Sequence, residues 1–192
     1  KGQKLWKRAK ATILGGNSLL SKNPNLFLPN KWPTYFSKSK GCKVWDLNNK
    51  PYIDMSLMGV GTNILGYCNN EVDNVVKKVA EQGNLTTLNC PEEVYLAEKL
   101  LSIHPWAGKV KFARTGGEAN AMAIRIARSA SGKENVAFCG YHGWHDWYLA
   151  ANLEKKSNLD GHLIPGLDPL GVPSNLRNTS FGFEYNNFNQ LK

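Results

Sequence analysis

The segment 109–143 constrains the chain more than any other. It reads KVKFAR, the turn Thr115-Gly116-Gly117, the run EANAMAIRIARSAS, a break at Gly132, and then NVAFC followed by Gly140-Tyr141-His142-Gly143. The first and last runs predict short strands. Between them Ala121, Ile124, Arg125 and Arg128 recur at helical spacing and give a helix with one apolar and one basic face. A strand, a glycine turn, a helix and a second strand make a β-α-β unit, and a β-α-β unit implies a parallel sheet covered by helices.

The remaining elements are simpler to read. Residues 3 to 14 set Leu5, Trp6, Ala9 and Ile13 at near-helical spacing, and Gly15-Gly16-Asn17 ends the run, which predicts a short leading helix. From 34 to 54, the apolar pairs Tyr35-Phe36, Val44-Trp45 and Tyr52-Ile53 are separated by Ser-Lys-Gly and Asn-Asn-Lys turn signals, the pattern of a small antiparallel meander. Val72, Val75, Val76 and Val79 share one face of a helix over 71–82 that starts behind Asn69 and Asn70. Val94, Ala97, Leu100 and Leu101 do the same over 92–103, after Pro91. From 154 to 192 the chain is rich in Asn, Gly, Pro and Ser without long periodicity, and it is read as a loop excursion.

Composition narrows the classes. An apolar content of 42% over 192 residues supports a real core, and no stretch approaches the ~20 apolar residues of a membrane span. The basic start, Lys1 to Lys10, is not followed by an apolar run of signal-peptide length, so the expectation is a soluble, cytoplasmic protein. The net charge of +9 raises nucleic acid as a partner, but the basic residues show no basic-aromatic repeat of an RNA or DNA module, and none is expected. Cys42, Cys68, Cys90 and Cys139 form no C-x-x-C pair and are expected to be reduced and mostly buried.

Two motifs carry chemistry. The turn Arg114-Thr115-Gly116-Gly117-Glu118 joins a predicted strand to a helix start, where unpaired N–H groups and the positive end of the helix dipole converge. Glycine lets backbone approach an anion closely, and the Thr115 hydroxyl adds a donor. The spacing is neither G-x-x-x-x-G-K-[ST] nor G-x-G-x-x-G. A glycine turn kept only for tight strand-helix packing is the other reading. The second motif, Gly140 to Asp146 (GYHGWHD), follows the next strand and so falls on the same sheet edge, where an aromatic side chain can stack on a flat heterocycle. Here too alternatives stand open: Tyr141 and Trp144 as core aromatics with His142 and His145 as satisfied polar residues, or Cys139, His142, His145 and Asp146 as metal ligands, although neither H-E-x-x-H nor a paired-cysteine zinc pattern is present.

Together the motifs form a more specific pattern. FARTGGEANAMAIRIARSASG followed by VAFCGYHGWHDW resembles the [ST]-G-x-E-A turn, the helix ending I-R-x-A-R and the strand capped by Y-H-G of class III aminotransferases and glutamate-1-semialdehyde aminomutases, fold type I pyridoxal-phosphate enzymes. Upstream, GCKVWDLNNKPYIDMSLMGVGTNILGY is similar to the family's G-x-x-[VLI]-x-D-x-x-G-x-x-Y-[IL]-D run and its later L-G-H, here Leu65-Gly66-Tyr67. Gly15-Gly16-Asn17-Ser18 is similar to the aminomutase's G-V-N-S. The resemblance covers residues 5 to 150.

It implies an α/β protein: an N-terminal helix and small antiparallel meander over 1–60, then over 61–192 the first part of a fold type I large domain, with an incomplete parallel-type sheet and flanking helices. It implies pyridoxal 5'-phosphate as cofactor, small amino and carbonyl compounds as substrates, and a homodimer. Carried over residue by residue, Thr115, Gly116 and Gly117 cradle the cofactor phosphate, Tyr141 stacks on the pyridine ring and His142 borders the same site, with Ser18 and Val60 on the substrate side. The chain also departs from the pattern. Gly117 stands where the aminomutase turn has threonine, and Asn17-Ser18-Leu19-Leu20-Ser21 lacks the arginine of N-S-P-V-R that takes a substrate carboxylate. The family's cofactor lysine and its acidic partner lie well beyond Y-H-G, and no lysine up to Lys192 has a matching context. The chain by itself is therefore expected to be inactive in amino transfer, and a non-catalytic phosphate-ligand-binding remnant or interaction module is the alternative.

Overall fold

The structure is a computed structural model that describes residues 1–56 and 58–192. It comprises two units, Lys1–Cys90 and Pro91–Lys192.

In the first unit, Gly2–Thr12 winds into helix α1, with Trp6 and Ala9 buried on one face. The helix stops at Thr12, where Ile13 turns extended at φ −120°, and the chain then reverses through Gly15 and Gly16 at φ 72° and 80°, a left-handed conformation that glycine adopts without penalty. Gly16 also lies so close to the Trp6 indole that a side chain there would overlap it. Gln3 Nε2 donates to the Trp32 carbonyl at 2.6 Å and anchors the helix to the segment before the sheet.

The expected meander is present. Strands β1 (Phe36–Lys40), β2 (Lys43–Asp46) and β3 (Pro51–Ile53) form an antiparallel sheet in that order, with Lys40 opposite Lys43 and Lys43 opposite Ile53. Asp46 holds the second turn by accepting hydrogen bonds from the Asn48 and Lys50 N–H groups at 2.8 and 3.0 Å. Tyr67 pairs with Gly41 at the sheet's edge. Helix α2 (Asn70–Gln82) then begins under the Asn69 side chain, which accepts from the Glu71 and Val72 N–H groups. Its valine face forms as predicted, but Val72, Val75 and Val76 are exposed.

In the second unit, α3 (Pro91–Ile103) precedes α4 (Gly116–Ser131), which ends at Gly132 in the left-handed region with φ 66°. Strand β4 (Val136–Cys139) pairs in parallel with β5 (Ser180–Phe183), Val136 opposite Ser180 and Cys139 opposite Phe183. The crossover between them carries the short helix α5 (Asp146–Leu149), and α6 (Phe188–Leu191) closes the unit. The core is an aromatic cluster of Phe138, Trp147 and Tyr148 with Ala151 and Leu159, against which Ala121 and Ile124 of α4 pack. Arg128 of α4 donates to the Glu134 and Thr179 carbonyls at 2.7 and 3.3 Å and so ties the helix to the starts of both strands.

Three expectations are corrected. The predicted strand 109–114 is not a strand: a strand exists through its ladder, and among the described residues no backbone pairs with this segment. The stretch 154–192 is more than a loop excursion, because it supplies β5 and the fully buried Leu159. Four-residue strands and lone core residues are too short to show a period. The cysteines form no disulfide, but Cys42, Cys68 and Cys90 are exposed, because they sit in a hairpin turn and in the segments leading into α2 and α3 rather than on buried faces.

Candidate anion site at the head of helix α4

Helix α4 opens with a complete capping box. Thr115 Oγ1 accepts from the Glu118 N–H at 3.2 Å, while Glu118 Oε2 accepts from the Arg114 and Thr115 N–H groups at 2.9 and 3.3 Å. The Ala119 N–H reaches the Thr115 carbonyl at 3.0 Å. This arrangement satisfies every early donor except two. The N–H groups of Gly116 and Gly117, at the first and second helical positions, have no hydrogen-bond partner among the described residues; Gly116 is exposed and Gly117 half-buried. They lie at the positive end of a helix of 16 residues.

The loop after β4 leans on this helix head. Gly140 and Gly143 turn at φ 89° and 100°, and a Cβ on Gly143 would lie 3.7 Å from the Gly117 Cα. His145, which caps α5, comes closer still: a Cβ on Gly117 would fall 2.7 Å from its Nε2. The His145 ring is stacked on Trp144, with centroids 4.7 Å apart and planes at 29°. An open groove of about 550 Å³ runs past the site, lined by Lys111, Arg114, Arg125, Glu118 and His145 among others. Three exposed cations against one carboxylate, itself bonded to backbone N–H groups, make the groove attractive to anions.

The sequence-predicted residues separate into groups. Thr115, Gly116 and Gly117 form the helix head, and the loop that carries Tyr141 and His142 is brought against it through Gly143 and His145. The Tyr141 ring is 37% exposed and meets Tyr148 edge-on at 5.8 Å. His142 instead turns inward: its Nε2 bonds the Cys139 carbonyl at 2.8 Å and its ring lies against Phe138, Trp147 and Tyr148. Burial pushes the Tyr148 hydroxyl up to about 12, with the nearby Tyr141 phenol adding to the shift. Ser18 is an exposed bend residue of the first unit, and Val60, also in that unit, is exposed with φ 60°. No group of three or more metal-ligating side chains is present among the described residues, and no described helix is long and apolar enough to cross a membrane.

Sequence reasoning passed over two participants. Glu118 was legible, since Thr-x-x-Glu at a helix start is the capping-box signature. The approach of His145 to Gly117 was not, because it depends on how the loop folds back.

The family model for class III aminotransferases matches residues 29–180. The 3-aminobutyryl-CoA aminotransferase of Cloacimonas acidaminovorans is 32% identical over 189 residues, covering 98% of this chain and 41% of that protein. A glutamate-1-semialdehyde 2,1-aminomutase from Caldicellulosiruptor saccharolyticus is 31% identical over 196 residues, covering 100% of this chain and 43% of the relative. Among solved structures, the FumI protein of Sphingopyxis sp. MTA144, in its PLP internal aldimine form, superposes with a TM-score of 0.79 at 25% identity, over 99% of this chain and 42% of that one. The chain thus spans less than half the length of the relatives it matches.

Proposed function

The chain belongs to the class III aminotransferase family, and from that premise we propose that its second unit forms the phosphate- and ring-holding part of a pyridoxal-phosphate-dependent enzyme that moves an amino group between an amino compound and a carbonyl. The observation that carries this reading is the pair of unpaired N–H groups at Gly116 and Gly117, left over from an otherwise satisfied helix cap. Two parallel donors on a helix dipole fit a phosphate, and glycine at both positions leaves them open to it. When bound, pyridoxal phosphate supplies an electron sink to the carbon that carries the amino group.

The chain's own residues do the holding. Gly116 and Gly117 donate to the phosphate, and the Thr115 hydroxyl, which accepts from Glu118, keeps its own proton to donate outward. Lys111, Arg114 and Arg125 raise the local concentration of the anion. The half-exposed face of Tyr141 stacks on the pyridine ring, while His142, locked to the Cys139 carbonyl, fixes the loop that presents Tyr141. Ser18 and Val60, both exposed, are assigned to the substrate side. A homodimer is assigned on the family resemblance, and the enzyme is assigned to the cytoplasm.

Gly116→Pro tests the reading directly. Proline is tolerated at the first helical position, and Thr115 already has the extended conformation that a following proline requires, so the substitution deletes one N–H and little else. The purified variant should bind pyridoxal phosphate roughly tenfold more weakly while its affinity for unphosphorylated pyridoxal stays the same. Unchanged affinity for the phosphorylated compound would overturn the site.

A further inference from the structure

Gly117 poses a question that its backbone does not answer. It sits in the first turn of α4 with a negative φ, a conformation that any residue adopts. Conformation therefore does not require it. Space does: a Cβ would come within 2.7 Å of His145 Nε2 and 2.8 Å of Cδ2, whereas a Cβ on neighbouring Gly116 would meet nothing within 4 Å. The glycine at 117 makes room for one imidazole.

That imidazole is held in place. Its ring is stacked on Trp144, and the His145 carbonyl accepts from the Tyr148 and Leu149 N–H groups at 2.9 and 3.1 Å, which fixes the backbone at the start of α5. Neither ring nitrogen has a hydrogen-bond partner among the described residues, and the ring borders the cationic groove. The ring's Nε2 thus lies beside Gly117, next to the helix head whose first two N–H groups are unpaired, in space that the glycine leaves open.

Resting on the phosphate reading above, we infer that His145 is a cofactor-phosphate ligand, its Nε2–H donating to the anion held by Gly116 and Gly117, and that Gly117 is present to admit it. The donor replaces side-chain functionality that position 117 itself lacks. Because the imidazole and the glycine act as one device, removing either should have the same effect as removing both.

The experiment compares pyridoxal phosphate with pyridoxal on the purified chain and three variants, using equilibrium titration for affinity and far-ultraviolet circular dichroism to check the fold. His145→Ala should lower the affinity for pyridoxal phosphate roughly tenfold and leave that for pyridoxal unchanged. Gly117→Ala, which pushes the imidazole aside, should lose a similar factor, and the double variant should lose no more than either alone. His145→Gln, which keeps a side-chain N–H, should recover most of the loss and decides the matter if the alanine variants unfold. Multiplying losses in the double variant, or a phosphate preference unaffected at His145, would overturn the inference while leaving the Gly116 site intact. A parent chain with no preference for the phosphorylated compound would overturn both.

Discussion

Tyr67 donates its phenolic proton to Asp54 Oδ2 across 2.6 Å, linking the segment before α2 to the end of the meander. Each group shifts the other's titration. Burial, then the Asp54 hydrogen bond and charge, raise the Tyr67 hydroxyl from 10.0 to about 12, and the Tyr67 hydrogen bond, reinforced by Ser56, holds Asp54 below 3.8 against the opposing effect of burial.

The pair should therefore give the first unit a stability plateau with two edges. The tyrosine's contribution is complete below pH 10.0 and is lost as pH rises through about 12, while the aspartate's is complete above pH 3.8 and is lost as pH falls through its depressed value. Tyr67→Phe should cost about 1 kcal/mol at neutral pH and flatten the alkaline edge. Urea denaturation across the pH range checks both, and an unchanged alkaline edge in the variant would remove Tyr67 as its cause.

The capping box should behave as one unit. Thr115→Ala and Glu118→Ala each remove a reciprocal bond at the head of α4 and should each destabilise by about 1 kcal/mol, with the double variant costing less than the sum because each residue supports the other's geometry. Denaturant midpoints of the four proteins measure the coupling; strict additivity would show that the two caps act independently.

Tyr148 is fully buried, yet its hydroxyl has no hydrogen-bond partner among the described residues. Tyr148→Phe keeps the ring that packs on Phe138 and Trp147 and removes an unsatisfied polar atom. Stability should stay the same or rise by about 1 kcal/mol. A clear loss in thermal denaturation would mean that the hydroxyl bonds an ordered water.

Leu159 lies in the stretch that looked like a loop, but it is fully buried in the core cluster, and its N–H is bonded by Asn152 Oδ1 at 2.9 Å. Leu159→Ala should cost about 3 kcal/mol through the cavity it leaves. A surface loop would lose less than about 0.5 kcal/mol on such a change, so the denaturation midpoint separates the two cases.

Local chemistry wrote much of this protein into its sequence. Gly132 ends α4 because glycine takes the left-handed conformation cheaply, Gly15 and Gly16 turn the chain after α1 for the same reason, Asn69 and Thr115 start helices because their side chains reach the first free N–H groups, and the meander follows from alternating apolar pairs and turn residues. Each of these depends on neighbours within a few residues. The donor pair at Gly116 and Gly117 was legible for the same reason. What the sequence could not decide rests on contacts between distant residues. Segment 109–114 has strand-like composition but no ladder partner among the described residues, whereas the four residues Ser180–Phe183 gain strand character only by lying beside Val136–Cys139. The inward turn of His142, the burial of Leu159 and the approach of His145 to Gly117 arise the same way: a long crossover folds back onto the aromatic core, and only then is it settled which side chains face packing and which face an open groove.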